Sequence, residues 1–167
     1  MRILGVDPGF ERLGIAILEK NTSEKKSFNK TQNKEKILFS ECFKTSVKLD
    51  FPERLLLIGK EIRNVIKKFK PDILAVETLF INTNQKTAMR VAEARGVLIY
   101  EASQKGLEIL EISPLQIKMA ITGYGRADKN QIIKMVRMLS DVKKDKESDD
   151  ELDAIAIALT ASSYKKF

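Results

Sequence analysis

Four carboxylates stand where a chain does not place them by default. Asp7 closes the apolar run Ile3-Leu4-Gly5-Val6, and Glu77 closes Ile73-Leu74-Ala75-Val76. Asp150 and Asp153, three apart, lead into a third apolar run, Ala154-Ile155-Ala156-Ile157-Ala158-Leu159. An unpaired buried anion costs several kcal/mol, so a core element ending in one calls for a partner. Two strand ends meeting two acids on one helical face describe an oxygen cage for hard divalent cations.

Each acid also has an ordinary explanation. Asp7 precedes Pro8-Gly9 and suits a turn, and Glu77 at a strand end can reach solvent. Ser148-Asp149-Asp150-Glu151 is a capping box, which accounts for Asp149 and Glu151 and would account for Asp150 alone. Asp153 lies deeper, where the sequence is almost wholly apolar. There the helix dipole offers less than the cost of burying an anion. Residues three apart share a helical face, so Asp150 and Asp153 can point at one place. Four converging acids repel and raise one another's pKa values, and divalent cations remove that conflict. The pattern reads best as a phosphoryl-transfer site. Two ions about 3.5–4 Å apart would activate a water and stabilise the leaving oxygen.

The chain has no histidine, which excludes Ser-His-Asp and Cys-His catalysis and imidazole metal sites. Its single cysteine, Cys42, can form no internal disulfide, reads as a small buried apolar residue, and points to the cytosol. With one Cys and no His a structural zinc site is excluded, and oxygen ligands favour magnesium, with manganese as the substitute. Thirty Lys and Arg against 23 Asp and Glu give a net charge of +7. That suits a phosphate-backbone binder, and equally an ordinary basic protein. No apolar run approaches membrane-spanning length and no signal peptide is read at the start. At 167 residues the expectation is a single domain, 1–167.

The elements that must position the acids follow from pattern. A first strand ends at Asp7, because Pro8 holds Asp7 out of helical geometry. A second strand spans Gly14 to Glu19, the lysine-rich segment 21–36 reads as an extended hairpin loop, and a third strand spans Ile37 to Phe43. Leu55, Ile58, Ile62, Val65 and Phe69 recur at helical spacing within a helix from Phe51 to Phe69. Lys60, Arg63, Lys67 and Lys70 mark another face, either solvated or turned to DNA. Pro71 ends that helix, and a fourth strand delivers Glu77. A helix over about 84–104, with Ala88, Val91, Ala92 and Val97 among charges, and a strand over 107–112 follow. Ser113-Pro114 opens a short helix, Asp128 caps another that ends near Leu139, and the last helix begins near Ser148. This order predicts an α/β fold, a mixed five-stranded sheet flanked by helices. A right-handed crossover lays the fourth strand parallel beside the first and brings Asp7 to Glu77.

Asp7-Pro8-Gly9 followed by Gly14, Ala75-Val76-Glu77 with Phe80 beyond, Ala94-Arg95-Gly96, and Asp150-Glu151-Leu152-Asp153-Ala154 together resemble the RuvC family of bacterial Holliday-junction resolvases. Pro114, Lys118, Gly123, Gly125 and Lys129 fit the same order, so the resemblance covers essentially the whole chain. It implies an RNase H-like fold, a two-fold homodimer, and magnesium-dependent paired nicking of four-way DNA junctions that leaves 5′-phosphate and 3′-hydroxyl ends. A branch-migration motor complex is a further implied partner. By position the resemblance makes Asp7, Glu77, Asp150 and Asp153 the metal ligands and catalytic acids. It places Lys118 and Lys129 near the scissile phosphate, where an ammonium offsets developing charge. Phe80 matches an aromatic that stacks at the opened crossover. Segment 21–36 looks longer than usual for the family and is either an added DNA contact or only loop.

Three other readings compete. One is an RNase H-like nuclease acting on hybrids or linear DNA, and another is a non-catalytic junction-binding module. The third is a nucleotide site, because Asp7 to Gly14 resembles the phosphate loop of actin-like ATPases and sugar kinases. Those enzymes enclose the nucleotide between two such domains, and this chain supplies one.

Overall fold

A computed structural model describes residues 1–20, 35–79, 85–140, 142 and 147–165. Strands β1 (Arg2–Asp7), β2 (Arg12–Glu19) and β3 (Lys36–Lys44) precede helix α1 (Phe51–Phe69). Then follow β4 (Ile73–Glu77), α2 (Gln85–Gln104), β5 (Glu108–Ile112), α3 (Pro114–Thr122), α4 (Lys129–Leu139) and α5 (Asp149–Tyr164). The five strands lie in the order β3-β2-β1-β4-β5. β1, β2 and β3 pair antiparallel, whereas β1, β4 and β5 run parallel. The expected mixed five-stranded sheet is therefore present, with helices on both faces.

Local chemistry explains the boundaries. Glu53 accepts a 3.0 Å hydrogen bond from the Asp50 amide at the start of α1, and Pro52 sits in its first turn. Lys70, left-handed at φ 49°, ends it. Ser113, Asp128 and Ser148 each cap a helix by accepting from an amide three residues on. β2 begins at Arg12, two residues before the expected Gly14, because the turn after Asp7 closes tightly. A β-carbon on Gly9 would stand 2.0 Å from the Arg12 carbonyl oxygen. The Thr45 hydroxyl donates to the Phe10 carbonyl at 2.6 Å and pins that turn. Of the segment expected as a loop, Lys36 opens β3, and 21–34 lies outside the described residues.

The two faces of the sheet differ in side-chain size. Leu4, Val6, Ile15, Ile17, Leu74 and Val76 face α1 and α2, packing on Ile58, Ile62, Val65, Ala94 and Leu98. Ile3, Ala16, Leu18, Ile73 and Ala75 face α5, which α3 and α4 cover through Ile117, Ile121 and Val136. Gly5 and Gly14 also lie on the α5 face. A β-carbon on Gly5 would stand 2.4 Å from the Ala154 carbonyl oxygen, and one on Gly14 2.1 Å from that of Asp150. α5 is thus seated close to the strands, buried from Ala154 to Ser162.

The Lys60, Arg63, Lys67 and Lys70 face is exposed, but it runs away from the acids. Arg63 is engaged by Glu101 of α2 at 3.0 and 2.6 Å. Lys67 and Lys70 gather with Pro71 and Lys105, at the end of β4 opposite Glu77. The exposed stripe thus lies apart from the acids.

Replacing Gly14 with Ala is expected to push the start of α5 outward and destabilise the protein by about 1–3 kcal/mol. Thermal melts check this, and a Gly14→Ala midpoint equal to wild type would refute the close seating of α5.

Candidate active site

The C-terminal ends of the two central parallel strands set the site. Val6 pairs with Val76, so Asp7 and Glu77 leave adjacent strands side by side. Asp7, like Gly5, has the parity of the α5 face, and Gly14 pairs with Asp7 directly. Because Gly14 admits the Asp150 carbonyl, the first turns of α5 arrive over these strand ends. One turn of α5 then carries Asp150 and Asp153 to the same place.

The electrostatics register the convergence. Burial, then the charges of Asp153, Glu77 and Asp150, push Asp7 up to about 7, against a partial offset from Lys129. Burial and the Asp153 charge raise Glu77 as well. Asp153 is raised by burial, with Lys129 opposing and Asp149 and Asp150 adding to the rise. Asp150 departs from the pattern. Burial would raise it, but hydrogen bonds from Arg12 and Cys42 and the Arg12 charge hold it below the usual carboxylate range. Such opposed shifts among neighbouring acids beside a cleft are the physical signature of a candidate functional site.

The chain answers part of this charge with its own cations. Lys129, at the start of α4, lies 3.2 Å from Asp149 and 3.3 Å from Asp153. Arg12, opening β2, donates through two nitrogens to Asp150 Oδ2 at 2.7 and 2.5 Å. Among the described residues no three Asp, Glu or Cys side chains stand ready as a metal cage. The four acids share one neighbourhood, while Asp150 and Asp153 are turned toward Arg12 and Lys129.

Beside the acids opens a pocket of about 290 Å³, lined by Glu77 and Asp153, by Lys118 and Lys129, and by the apolar floor of Ile117 and Ala156. Among the described residues no carboxylate pairs with Lys118. Both lysines singled out from sequence therefore border the acids. Phe80 lies outside the described residues. Cys42 is half-buried and donates its thiol to Asp150 Oδ2 at 3.4 Å, in place of the inert core position expected for it.

Two contributors carried no role in sequence. Arg95 of α2 donates to the Glu77 carbonyl oxygen at 3.0 Å and pairs with Glu111 of β5, anchoring the strand end that presents Glu77. Arg12 is the other. Arg95 stands in the Ala94-Arg95-Gly96 motif and Arg12 between Asp7 and Gly14, but the role of each depends on a contact that only the fold makes.

The raised carboxyls fix a sign for stability in chelator. A group whose folded pKa exceeds its unfolded value stabilises at low pH and loses that contribution as pH rises through the folded value. Asp7 rises from 3.8 to about 7, so its contribution is lost between those pH values. Asp7→Asn is expected to flatten this fall and to be more stable than wild type at pH 8, by at most a few kcal/mol. Urea titrations from pH 4 to 8 test it, and parallel profiles for the two proteins would contradict the assigned burial of Asp7.

A family model described as crossover junction endodeoxyribonuclease RuvC matches residues 3–161. The protein of that name from Halothermothrix orenii is 41% identical over 166 residues, covering 99% of this chain and 94% of the relative. The one from Thermosipho melanesiensis is 40% identical over 167 residues, the whole of both chains. A solved structure of Thermus thermophilus RuvC, 30% identical, has a TM-score of 0.85 and covers 98% of this chain and 95% of its own. The same protein in complex with Holliday junction substrate has a TM-score of 0.86, covering 98% and 94%. A yeast mitochondrial Holliday junction resolvase, 17% identical with a TM-score of 0.66 over 97% and 76%, shares the fold alone. Sequence over nearly its full length and architecture agree that the chain belongs to the RuvC family, the crossover junction endodeoxyribonucleases of RNase H-like fold.

Proposed function

We propose that this chain, acting as a single domain over residues 1–167, resolves four-way DNA junctions by paired symmetric nicks, leaving 5′-phosphate and 3′-hydroxyl ends. One observation carries the catalytic part of this reading. Three separate elements deliver Asp7, Glu77, Asp150 and Asp153 to one spot, where burial and mutual repulsion raise Asp7 to about 7. Carboxyls so placed want a countercharge that Lys129 and Arg12 supply only in part.

The residues fit divalent cations. The donors are all oxygen, three of the four carboxyls are raised, and no histidine competes. Asp7, Glu77, Asp150 and Asp153 would hold magnesium, with manganese as substitute, two ions per site. Bound there, the ions supply Lewis-acid stabilisation of phosphoryl charge and lower the pKa of water. The chain's own residues do the rest. Lys118 and Lys129 border the pocket and offset charge on the phosphoryl oxygens during in-line attack. Arg95 keeps the Glu77 strand end from moving as substrate docks. Phe80 would stack on bases at the opened crossover.

A homodimer would present two such sites to the two symmetry-related strands. Exposed Met89, Ala92, Gly96 and Tyr100 recur along one face of α2, at spacings suited to a self-complementary contact. A branch-migration motor complex is a further partner, and the cytoplasm the compartment where such DNA lies. No helix among the described residues is long and apolar enough to cross a membrane.

Four-way junction, duplex and RNA–DNA hybrid substrates incubated with protein and magnesium test the reading by mapping incisions. Paired symmetric cuts in the junction alone are expected. Equal rates on all three would favour a general RNase H-like nuclease, and binding with no incision a junction-binding module. Asp7→Asn and Glu77→Gln are expected to bind junction as wild type does while incision falls on the order of 10³-fold. Lys118→Ala, which leaves every carboxylate in place, should lower the single-turnover rate by about 10²-fold with unchanged junction affinity. Incision by Asp7→Asn at the wild-type rate would remove the catalytic assignment.

A further inference from the structure

We infer that Arg12 is a positioning residue that acts as a built-in counter-ion for Asp150, and that a divalent cation displaces it when the site is loaded. The inference rests on the reading of the four acids as cation ligands and assigns a role to a residue outside them. Arg12 opens β2 immediately after the tight turn at Gly9, and that turn is pinned by the Thr45 hydroxyl on Phe10 and by the Thr45 amide on Glu11 at 3.0 Å. The guanidinium is thereby aimed across the sheet edge at α5. Arg12 Nε and Nη2 and the Cys42 thiol all donate to the same atom, Asp150 Oδ2.

A carboxylate oxygen has two lone pairs, and three donors saturate it. A cation requiring that oxygen cannot take it while Arg12 remains. The other acids lack this arrangement: Asp7 and Glu77 meet other carboxylates, and Asp153 meets the single ammonium of Lys129. Of the four acids, Asp150 is therefore the one gripped by a planar fork. The Arg12 side chain is half-exposed, so its guanidinium has solvent to swing into when it leaves Asp150. Release is then an exchange of one countercharge for another. Its effect is to raise the cation concentration at which the site fills and to keep the acids in place until it does.

The test is calorimetric binding of manganese to the full chain, for wild type, Arg12→Gln and Lys44→Gln. Lys44 pairs with Arg12 in the β2–β3 register but has no contact with Asp150, so Lys44→Gln removes the same charge without removing the fork. Arg12→Gln is expected to bind manganese about three- to tenfold more tightly than wild type, and Lys44→Gln less than about twofold. In chelator, Arg12→Gln should melt below wild type, with the gap closing at saturating manganese, where the Arg12–Asp150 pair is absent from both proteins. Equal gains in both variants, or weaker binding by Arg12→Gln, would overturn the counter-ion role while leaving the metal site intact. Absence of manganese binding in all three proteins would overturn the metal reading itself.

Discussion

The close approach of α5 to the sheet is the constraint on which the rest depends. Aspartate has one methylene, so acids on a helix can meet acids on strand ends only when the two backbones nearly touch. Gly5 and Gly14 allow this, because the carbonyl oxygens of Ala154 and Asp150 occupy the space a β-carbon would fill. Ala16 and Ala75 keep that face shallow toward the acids, ahead of the larger Ile3, Leu18 and Ile73 at its other end, and Ala154 and Ala158 do the same on the helix. The opposite face carries Leu4, Val6, Ile15, Ile17, Leu74 and Val76, and α1 rides on those larger side chains. The sheet is thus asymmetric by residue size, and the thin side is where the acids meet.

Bringing anions together costs energy that burial elsewhere must offset. α5 is buried along most of its length, under α3 and α4 as well as against the strands. Burial of that many apolar side chains, at about 1.5–3 kcal/mol each for the larger ones, holds a charged cluster that would otherwise push apart. The same layer brings the positive charges. α4 packs on α5 and its first residue is Lys129, while α3 carries Lys118 to the pocket rim. One packing arrangement therefore sets the acids, their repulsion, and part of the compensation.

The compensation is uneven. Asp150 has the Arg12 fork and a thiol, Asp153 has one ammonium, and Asp7 and Glu77 are left against other acids. Charge is therefore least balanced at the two strand ends, deepest in the site, and most balanced at the α5 turn nearest solvent. A doubly charged ligand gains most where the imbalance is greatest.

Sequence by itself determined a good deal. Period and punctuation set α1 at Phe51–Phe69, the caps at Ser113, Asp128 and Ser148, and the strands ending in Asp7 and Glu77, because each depends on neighbours along the chain. The parallel pairing of β4 with β1 followed from the handedness of one crossover. The four acids were legible because a carboxylate at the end of an apolar run conflicts with its surroundings even in one dimension. Tertiary structure alone decided that Arg12 and Cys42 converge on Asp150 and that Arg95 anchors Glu77. It also decided that the Arg63 stripe turns away to Glu101. Those contacts join residues from 18 to 138 positions apart. Local propensity carries no information about which guanidinium a fold will bring to which oxygen, because a polar surface residue is equally at home with water until packing removes the choice.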